Sequence, residues 1–124
     1  MIPGRGEHPK FLESFKYAFT GVKTCIRSER NIKVMLLGGV LAVGCGFVLK
    51  LDPISWAVIL TCCGSVLCAE MLNTAIENVV DLASPEMQPL AGKAKDIAAG
   101  AVLILSIFSA IVGLIIFVNA YLNL

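Results

Sequence analysis

The stretch AEMLNTAIENVVDLAS, residues 69–84, decides the fold of this chain, because it places three carboxylates at the end of an apolar segment. Residues 53–69 contain no Asp, Glu, Lys or Arg, and no Gly or Pro interrupts residues 65–84. One continuous helix is therefore predicted to leave the apolar region with its acids at the far end. Charged groups are costly at such a depth, so these acids need a partner.

Two further segments, residues 34–49 and 97–124, also contain no charged residue. At 1.5 Å per residue the two shorter charge-free runs cover roughly 24–26 Å, and flanking residues can complete a span of ~30 Å. The chain is 57% hydrophobic and 15% charged, whereas soluble domains carry about 25% charged residues. The sequence therefore predicts an all-α integral membrane protein with three transmembrane helices. A soluble bundle with a buried helical core is the alternative.

The N-terminal region follows a different pattern. Over residues 10–28, apolar residues recur at three- and four-residue spacing while basic residues take other faces. This pattern indicates an amphipathic helix along the membrane surface, with a soluble helix packed on the bundle as the alternative. The predicted helices cover about residues 10–28, 32–50, 54–82 and 95–122, in one domain of residues 1–124. SPEMQPLAG, residues 84–92, is predicted to be a loop because it contains two prolines and a glycine.

The basic residues are unevenly distributed along the chain. Seven of the ten precede the first span, and Lys93 and Lys95 lie between the second and third, whereas the first connection has only Lys50. The positive-inside rule then places the N-terminus in the cytoplasm and the C-terminus outside. Nothing in this distribution indicates nucleic-acid binding, and the five cysteines lack a C-x-x-C pair that would indicate a metal site.

Four polar residues of the opening stretch fall on one helix face. They are Glu70, Asn73, Glu77 and Asp81, with Thr74 at the border. Clustered oxygen ligands without His or Cys suit Mg²⁺, which uses one or two carboxylates and shares its shell with phosphates. Glu29, at the start of the first span, could supply a further carboxylate.

The pattern as a whole indicates phosphoryl transfer. Acids for a metal, lysine for a phosphate and one deeper carboxylate for a proton suggest transfer to a lipid hydroxyl. AGKAK, residues 91–95, lacks the Walker A frame, so a nucleotide would be held in another way. Three alternatives stay open: an anchor whose acids only pair with the surface helix, a proton-coupled transporter subunit using Glu70, and a structural adaptor.

The segment AEMLNTAIENVVDLASPEMQPLAGKAKDIAAGAVLI resembles the signature region of the prokaryotic diacylglycerol kinase family. SFKYAFTGV and SERNIK match the upstream elements, and the resemblance covers about residues 10–115. SERN, NTAIE and SPEMQPLA are similar to the Gram-positive branch, which contains undecaprenol kinases. The resemblance implies a homotrimeric lipid kinase of the bacterial cell membrane, with composite active sites at subunit boundaries on the cytoplasmic face.

The resemblance also implies residue roles. Glu70 matches the general base, Asn73 matches its companion, and Glu29 and Glu77 match the Mg²⁺ ligands. The positions that match ATP-binding residues are Lys10, Tyr17, Glu29, Glu77, Asp81, Glu86, Met87, Gln88, Lys95 and Asp96. Lys10 and Glu70 match lipid-binding positions.

The implied reaction is ATP-dependent phosphorylation of a lipid alcohol, with undecaprenol expected first and diacylglycerol as the alternative. The sequence departs from the family at three positions. Lys10 and Lys33 stand where arginine is common, and Met35 replaces a polar residue.

Overall fold

A computed structural model describes residues 10–86 and 88–124, and these form four α-helices. The helices are α1 (Phe11–Ser28), α2 (Arg30–Val48), α3 (Pro53–Ala83) and α4 (Pro89–Leu122). The last three are each long and apolar enough to cross a membrane. The predicted all-α architecture, with three helices suited to span a membrane, is therefore confirmed.

The turn between α2 and α3 is closed by a Schellman motif. Lys50 adopts the left-handed conformation, with φ of 55°. Its N–H donates to the Phe47 carbonyl at 3.3 Å, and the Leu51 N–H donates to the Gly46 carbonyl at 3.1 Å. These bonds satisfy carbonyl groups that the end of α2 would otherwise leave unpaired.

The start of α3 is capped in the same turn. The Asp52 carboxylate accepts from the Ser55 N–H at 3.5 Å and from the Ser55 hydroxyl at 2.5 Å. Pro53 occupies the first turn, where its missing N–H leaves no intrahelical bond unmade. The chain thus reverses direction between the first two spans with its backbone groups paired.

The start of α4 differs from the prediction. The helix begins at Pro89, so the start predicted near residue 95 is too late, and the predicted loop is wrong for residues 89–92. Proline is suited to a first helical turn because its φ is already helical, and the Gly92 N–H donates to the Gln88 carbonyl at 3.1 Å. Lys95 and Asp96 consequently lie in the second turn of α4.

The junction between α1 and α2 is a single residue. Glu29 has extended geometry, with φ of −106° and ψ of 122°, and its N–H donates to the Cys25 carbonyl at 3.0 Å. The chain therefore changes direction at Glu29, and the side chain of this residue stands where two helices meet.

The described part of the chain buries few apolar residues. α3 and α4 form the main helix pair, α2 packs on α3, and α1 touches α2 and α3 over a smaller area. The buried apolar residues are Cys25, Ile32, Leu51, Ile59, Ala98 and Val102. Most large apolar side chains of α2, α3 and α4 face outward, as expected for helices surrounded by lipid or by other subunits.

The two long helices extend past the apolar region at one end. α3 has 31 residues and α4 has 34, which correspond to about 46 Å and 51 Å, more than a ~30 Å hydrocarbon core. The charge-free parts, residues 53–69 and 97–122, lie toward the same side because α3 and α4 run in opposite directions. The other side carries Glu77, Asp81 and Lys95.

Candidate functional site

Three consecutive polar positions along α3 are buried. Glu70, Asn73 and Thr74 retain 3%, 7% and 8% of their exposure. Residues three and four apart share a helix face, so the same register that the sequence indicated turns all three inward. The structure therefore places two of the predicted site residues, Glu70 and Asn73, side by side in the interior.

The Glu70 carboxylate has both amide and carboxylate neighbours. The side chains of Asn31, in the first turn of α2, and Asn73 lie within hydrogen-bonding reach of it. Its charged neighbours are Glu77 and Glu29. Two helices and one junction thus contribute to one group, because the α1–α2 junction supplies Glu29, α2 supplies Asn31 and α3 supplies the rest.

No described lysine or arginine forms an ion pair with Glu29, Glu70 or Glu77; within residues 10–86 and 88–124, the ion pair that forms joins Lys95 to Asp81. Uncompensated carboxylates do not fit the anchor alternative, which required these acids to pair with the basic residues of α1. Buried carboxylates of this kind are usually paired with a cation, and a bound metal ion can supply that charge.

Two buried polar atoms next to Glu70 have no hydrogen-bond partner. The Asn73 amide nitrogen donates to Glu77 Oε1 at 3.1 Å. The remaining atoms, Asn73 Oδ1 and Thr74 Oγ1, are buried and unpaired. An unpaired buried group costs stability, and such groups concentrate where a protein binds or transforms a ligand.

A second group of predicted residues surrounds a cavity of about 520 Å³ at the α3–α4 turn. Five predicted ATP-binding residues line it: Asp81, Glu86, Gln88, Lys95 and Asp96. The sixth residue predicted in this region, Met87, lies outside the described residues. The Asp81–Lys95 ion pair joins the end of α3 to the start of α4 at this cavity.

The cavity and the buried carboxylate group are connected along α3. Asp81 lies one turn beyond Glu77, and eleven residues beyond Glu70, or about 16 Å along the helix axis. All three share one face of α3. A ligand held in the cavity could therefore extend its end along this face toward the buried carboxylate.

Two predicted site residues lie far along α1 from Glu29. Lys10 precedes α1, whose 18 residues separate it from Glu29 by about 27 Å. Tyr17 is half-buried within α1 and has interactions of its own, about 18 Å along the helix from Glu29. Within one chain, α1 therefore does not bring Lys10 to the carboxylates.

The carboxylates suit a magnesium ion that is shared with phosphates. Among the described residues, no three His, Cys, Asp or Glu side chains form a complete metal-binding group. Mg²⁺ needs only one or two protein carboxylates when phosphates and water supply its other ligands. Glu29 and Glu77, which lack a basic partner, fit this limited role.

Two residues of the site were not predicted from the sequence. Thr74 was placed only at the border of the polar face, and Asn31 was given no role. Their positions contained a signal, because Thr74 follows Glu70 by one helical turn and Asn31 stands two residues after Glu29. The burial of Thr74 and the approach of Asn31 to Glu70 depend on how the helices pack.

The chain matches the family model for prokaryotic diacylglycerol kinase over residues 16–117. It belongs to this family. Undecaprenol kinase of Bacillus subtilis is 41% identical over 91% of this chain and 92% of that protein. Diacylglycerol kinase of Synechocystis is 43% identical over 85% of this chain and 61% of that protein. Diacylglycerol kinase of Escherichia coli K12 is 30% identical over 82% of this chain and 84% of that protein.

Membership of the prokaryotic diacylglycerol kinase family makes this chain a lipid kinase, with ATP as the phosphate donor. Its three apolar helices agree with a family of membrane enzymes. The alternative of a proton-coupled transporter subunit finds no support. The buried carboxylate group and the cavity at the α3–α4 turn are therefore candidates for the lipid and ATP sites of a kinase.

Proposed function

We propose that this lipid kinase phosphorylates undecaprenol, with diacylglycerol as a poorer substrate. The observation that carries the proposal is the likeness to the Bacillus subtilis undecaprenol kinase, which extends over 92% of that protein. The Synechocystis diacylglycerol kinase is as similar in the aligned part, but the alignment covers 61% of its length.

An apolar groove between α2, α3 and α4 is a second observation in favour of a substrate with one long hydrocarbon chain. Its volume is about 520 Å³, and small residues such as Gly38, Gly39 and Gly113 line it. It includes Val66, one turn before Glu70, and extends along α4 from Ser106 to Phe117, a length of about 16 Å. A single chain laid along this groove would bring its hydroxyl end toward the carboxylate.

In the proposed reaction, Glu70 accepts the proton of the lipid alcohol. The alcohol oxygen forms a bond to the γ-phosphorus of ATP, the bond from that phosphorus to the β–γ bridging oxygen breaks, and ADP leaves. Asn31 and Asn73 lie beside the Glu70 carboxylate, and their amides would orient it for this role. Positioning and charge stabilisation are the main demands of phosphoryl transfer, so a fixed carboxylate is well suited to the role.

The nucleotide is proposed to occupy the cavity at the α3–α4 turn. Lys95 offers a positive charge to the phosphates, and Asp81, Glu86, Gln88 and Asp96 line the same space. Glu29 and Glu77 would hold Mg²⁺, which when bound neutralises charge on the phosphates. The proposed lipid and nucleotide sites would then meet along the shared face of α3.

We further propose a homotrimer with α1 on the cytoplasmic membrane surface and the C-terminus outside. The apolar residues Phe11, Leu12, Phe15 and Phe19 of α1 are exposed, as a helix lying in the lipid headgroup region requires. The distance from Lys10 to Glu29 within one chain supports sites shared between subunits, where Lys10 and Tyr17 serve a neighbouring subunit.

The purified protein, given Mg-ATP and both lipids in mixed micelles, tests this proposal. We expect kcat/KM for undecaprenol to exceed that for diacylglycerol by about tenfold or more, and Glu70→Gln to lose about 10²–10⁴-fold in kcat, the range typical of a general base. Glu13→Gln, which changes an exposed acid in the first turn of α1, is the matched control and should keep its rate. A preference for diacylglycerol would reassign the substrate, and an active Glu70→Gln would remove the base.

A further inference from the structure

Thr74 is a buried polar residue of α3 without a role in the reaction above. It retains 8% of its exposure, and it follows Glu70 by four residues, about 40° around the helix. Its hydroxyl oxygen has no hydrogen-bond partner. Because an unpaired buried hydroxyl is unfavourable, the position of this residue calls for an explanation beyond packing.

Two other threonines show the usual behaviour of a helical threonine in this protein. The Thr20 hydroxyl donates to the Lys16 carbonyl at 2.9 Å, and the Thr61 hydroxyl donates to the Ala57 carbonyl at 2.7 Å. Each acceptor lies four residues back, which is the common local bond for threonine in a helix. Thr61 lies on the same helix as Thr74, so α3 itself permits this geometry.

The equivalent acceptor for Thr74 is the carbonyl of Glu70, yet no such bond forms. The hydroxyl is therefore not engaged by its own helix, and it is available to a group that arrives from elsewhere. The amide nitrogen of the neighbouring Asn73 donates to Glu77, and its oxygen, Oδ1, is an acceptor without a partner. One free donor and one free acceptor thus lie within about one turn of Glu70.

The free donor of Thr74 and the free acceptor of Asn73 suit different reactants, the phosphoryl group and the lipid alcohol. A lipid alcohol carries a proton, which suits the acceptors Glu70 and Asn73. The oxygens of a phosphoryl group carry no proton and only accept, which suits a hydroxyl donor. Glu70 and Thr74 are 3% and 8% exposed, so surrounding side chains must move before a substrate reaches either of them.

We propose that Thr74 is a further catalytic residue, whose hydroxyl donates a hydrogen bond to an oxygen of the phosphoryl group during transfer. The inference rests on the proposed function, in which the alcohol proton moves to Glu70 as the new oxygen–phosphorus bond forms and the bond to ADP breaks. Thr74 keeps its own proton throughout. Its bond stabilises the charge on the phosphoryl oxygens, as donors at other transferring groups do.

Three variants test this inference, with undecaprenol and Mg-ATP as the probes. Thr74→Val keeps the shape of the side chain and removes the donor, so kcat should fall by about 100-fold, the loss typical of one removed donor. KM for both substrates should stay within about twofold, because the bond forms only in the transition state. Thr74→Ser should restore most of the rate, and Thr61→Val should leave it unchanged.

The thermal unfolding midpoint in detergent, measured without ATP, separates this role from a structural one. Thr74→Val should unfold at the wild-type temperature or above it, because the deleted hydroxyl has no partner to lose. A Thr74→Val variant with wild-type kcat would overturn the inference. So would a Thr74→Val variant that loses rate and stability together while Thr74→Ser fails to restore either.

The Glu70→Gln variant, assayed in parallel, distinguishes the two proposals. If Glu70→Gln is inactive and Thr74→Val is fully active, only the inference about Thr74 fails. If the wild-type protein phosphorylates neither lipid, or if Glu70→Gln keeps its kcat, the proposed function fails and the inference about Thr74 fails with it.

Discussion

The two polar ends of the helical bundle are built in opposite ways. At the turn end, defined by Asp52, Ser55, Asn119 and Asn123, polar side chains pair with near neighbours. Asp52 accepts from the Ser55 hydroxyl at 2.5 Å, and the Asn123 amide donates to the Asn119 carbonyl at 2.7 Å. These residues are exposed or half-buried, so water can also satisfy them.

At the carboxylate end, defined by Glu29, Glu70, Asn73, Thr74 and Glu77, the polar groups are buried more deeply and paired less completely. Three of them retain below 10% exposure, and two of their atoms have no partner. A structure held together only for stability would favour the first arrangement. The second arrangement is expected where binding and catalysis outweigh stability, so the same kind of side chain serves structure at one end and chemistry at the other.

The largest expected contrast comes from changing one carboxylate at each end. Glu77→Gln should lower kcat by about 100-fold and raise the Mg²⁺ concentration needed for half-maximal rate, because a proposed metal ligand loses its charge. Asp52→Asn should leave the rate unchanged, because asparagine caps a helix about as well as aspartate. Rates measured across a Mg²⁺ titration at saturating ATP give both answers, and an unaltered Mg²⁺ dependence in Glu77→Gln would remove this residue from the metal site.

A stability contrast at the turn end is expected next. A Cβ at Gly46 would lie 2.6 Å from Trp56 Cη2 and 3.1 Å from Leu51 Cδ1. The Trp56 ring is held against Phe47, with centroids 4.8 Å apart, so Gly46→Ala should cost about 1–3 kcal/mol by overpacking.

Gly44→Ala is the matched control for this change. A Cβ at Gly44 meets nothing within 4 Å, and alanine favours a helix by up to about 1 kcal/mol over glycine. Thermal unfolding midpoints in detergent should therefore move in opposite directions for the two variants, while the rate per folded enzyme stays constant. A Gly46→Ala variant as stable as wild type would mean that the Trp56 ring can move aside.

Local spacing in the sequence was sufficient for the helices and for the polar face of α3. The run from Glu70 to Asp81 follows the helical period, and charge-free stretches mark the three spans, so both could be predicted without knowledge of packing. The predicted start of α4 was wrong because proline suits a first helical turn as well as a loop. Its position therefore does not decide between the two.

Tertiary contacts decided what the sequence could not. The Thr74 hydroxyl has no partner, although Thr61 on the same helix donates to the carbonyl four residues before it. The difference depends on the side chains that surround each threonine. Asn31 reaches Glu70 only because α2 packs on α3. Sequence spacing could indicate which residues share a face, but not which of their atoms remain unbonded.

A smaller effect is expected for the ion pair at the cavity. Lys95→Met should raise KM for ATP by about tenfold, since a hydrogen bond to a charged group contributes about 1.5–3 kcal/mol. Asp81→Asn also breaks the pair with Lys95 but leaves the lysine free to meet phosphate, so its KM should change less. Both variants should keep their stability, because exposed pairs contribute about 0–1 kcal/mol. Equal KM values in the two variants would indicate that Lys95 acts only through Asp81.

The smallest effect concerns the pH dependence of the turn end. The hydrogen bond from the Ser55 hydroxyl holds the pKa of the exposed Asp52 carboxyl below its ordinary value of 3.8. A lowered pKa in the folded state stabilises the protein above the ordinary pKa, and this contribution is lost as pH falls through the folded pKa. Ser55→Ala should therefore have a slightly lower thermal unfolding midpoint than wild type near neutral pH, and the difference should shrink as the solution is acidified below the ordinary pKa.

Ser14→Ala is the control, because the Ser14 hydroxyl donates to a backbone carbonyl, and its difference from wild type should not change with pH. A constant gap for Ser55→Ala as well would mean that the hydroxyl stabilises the turn without regard to the charge on Asp52.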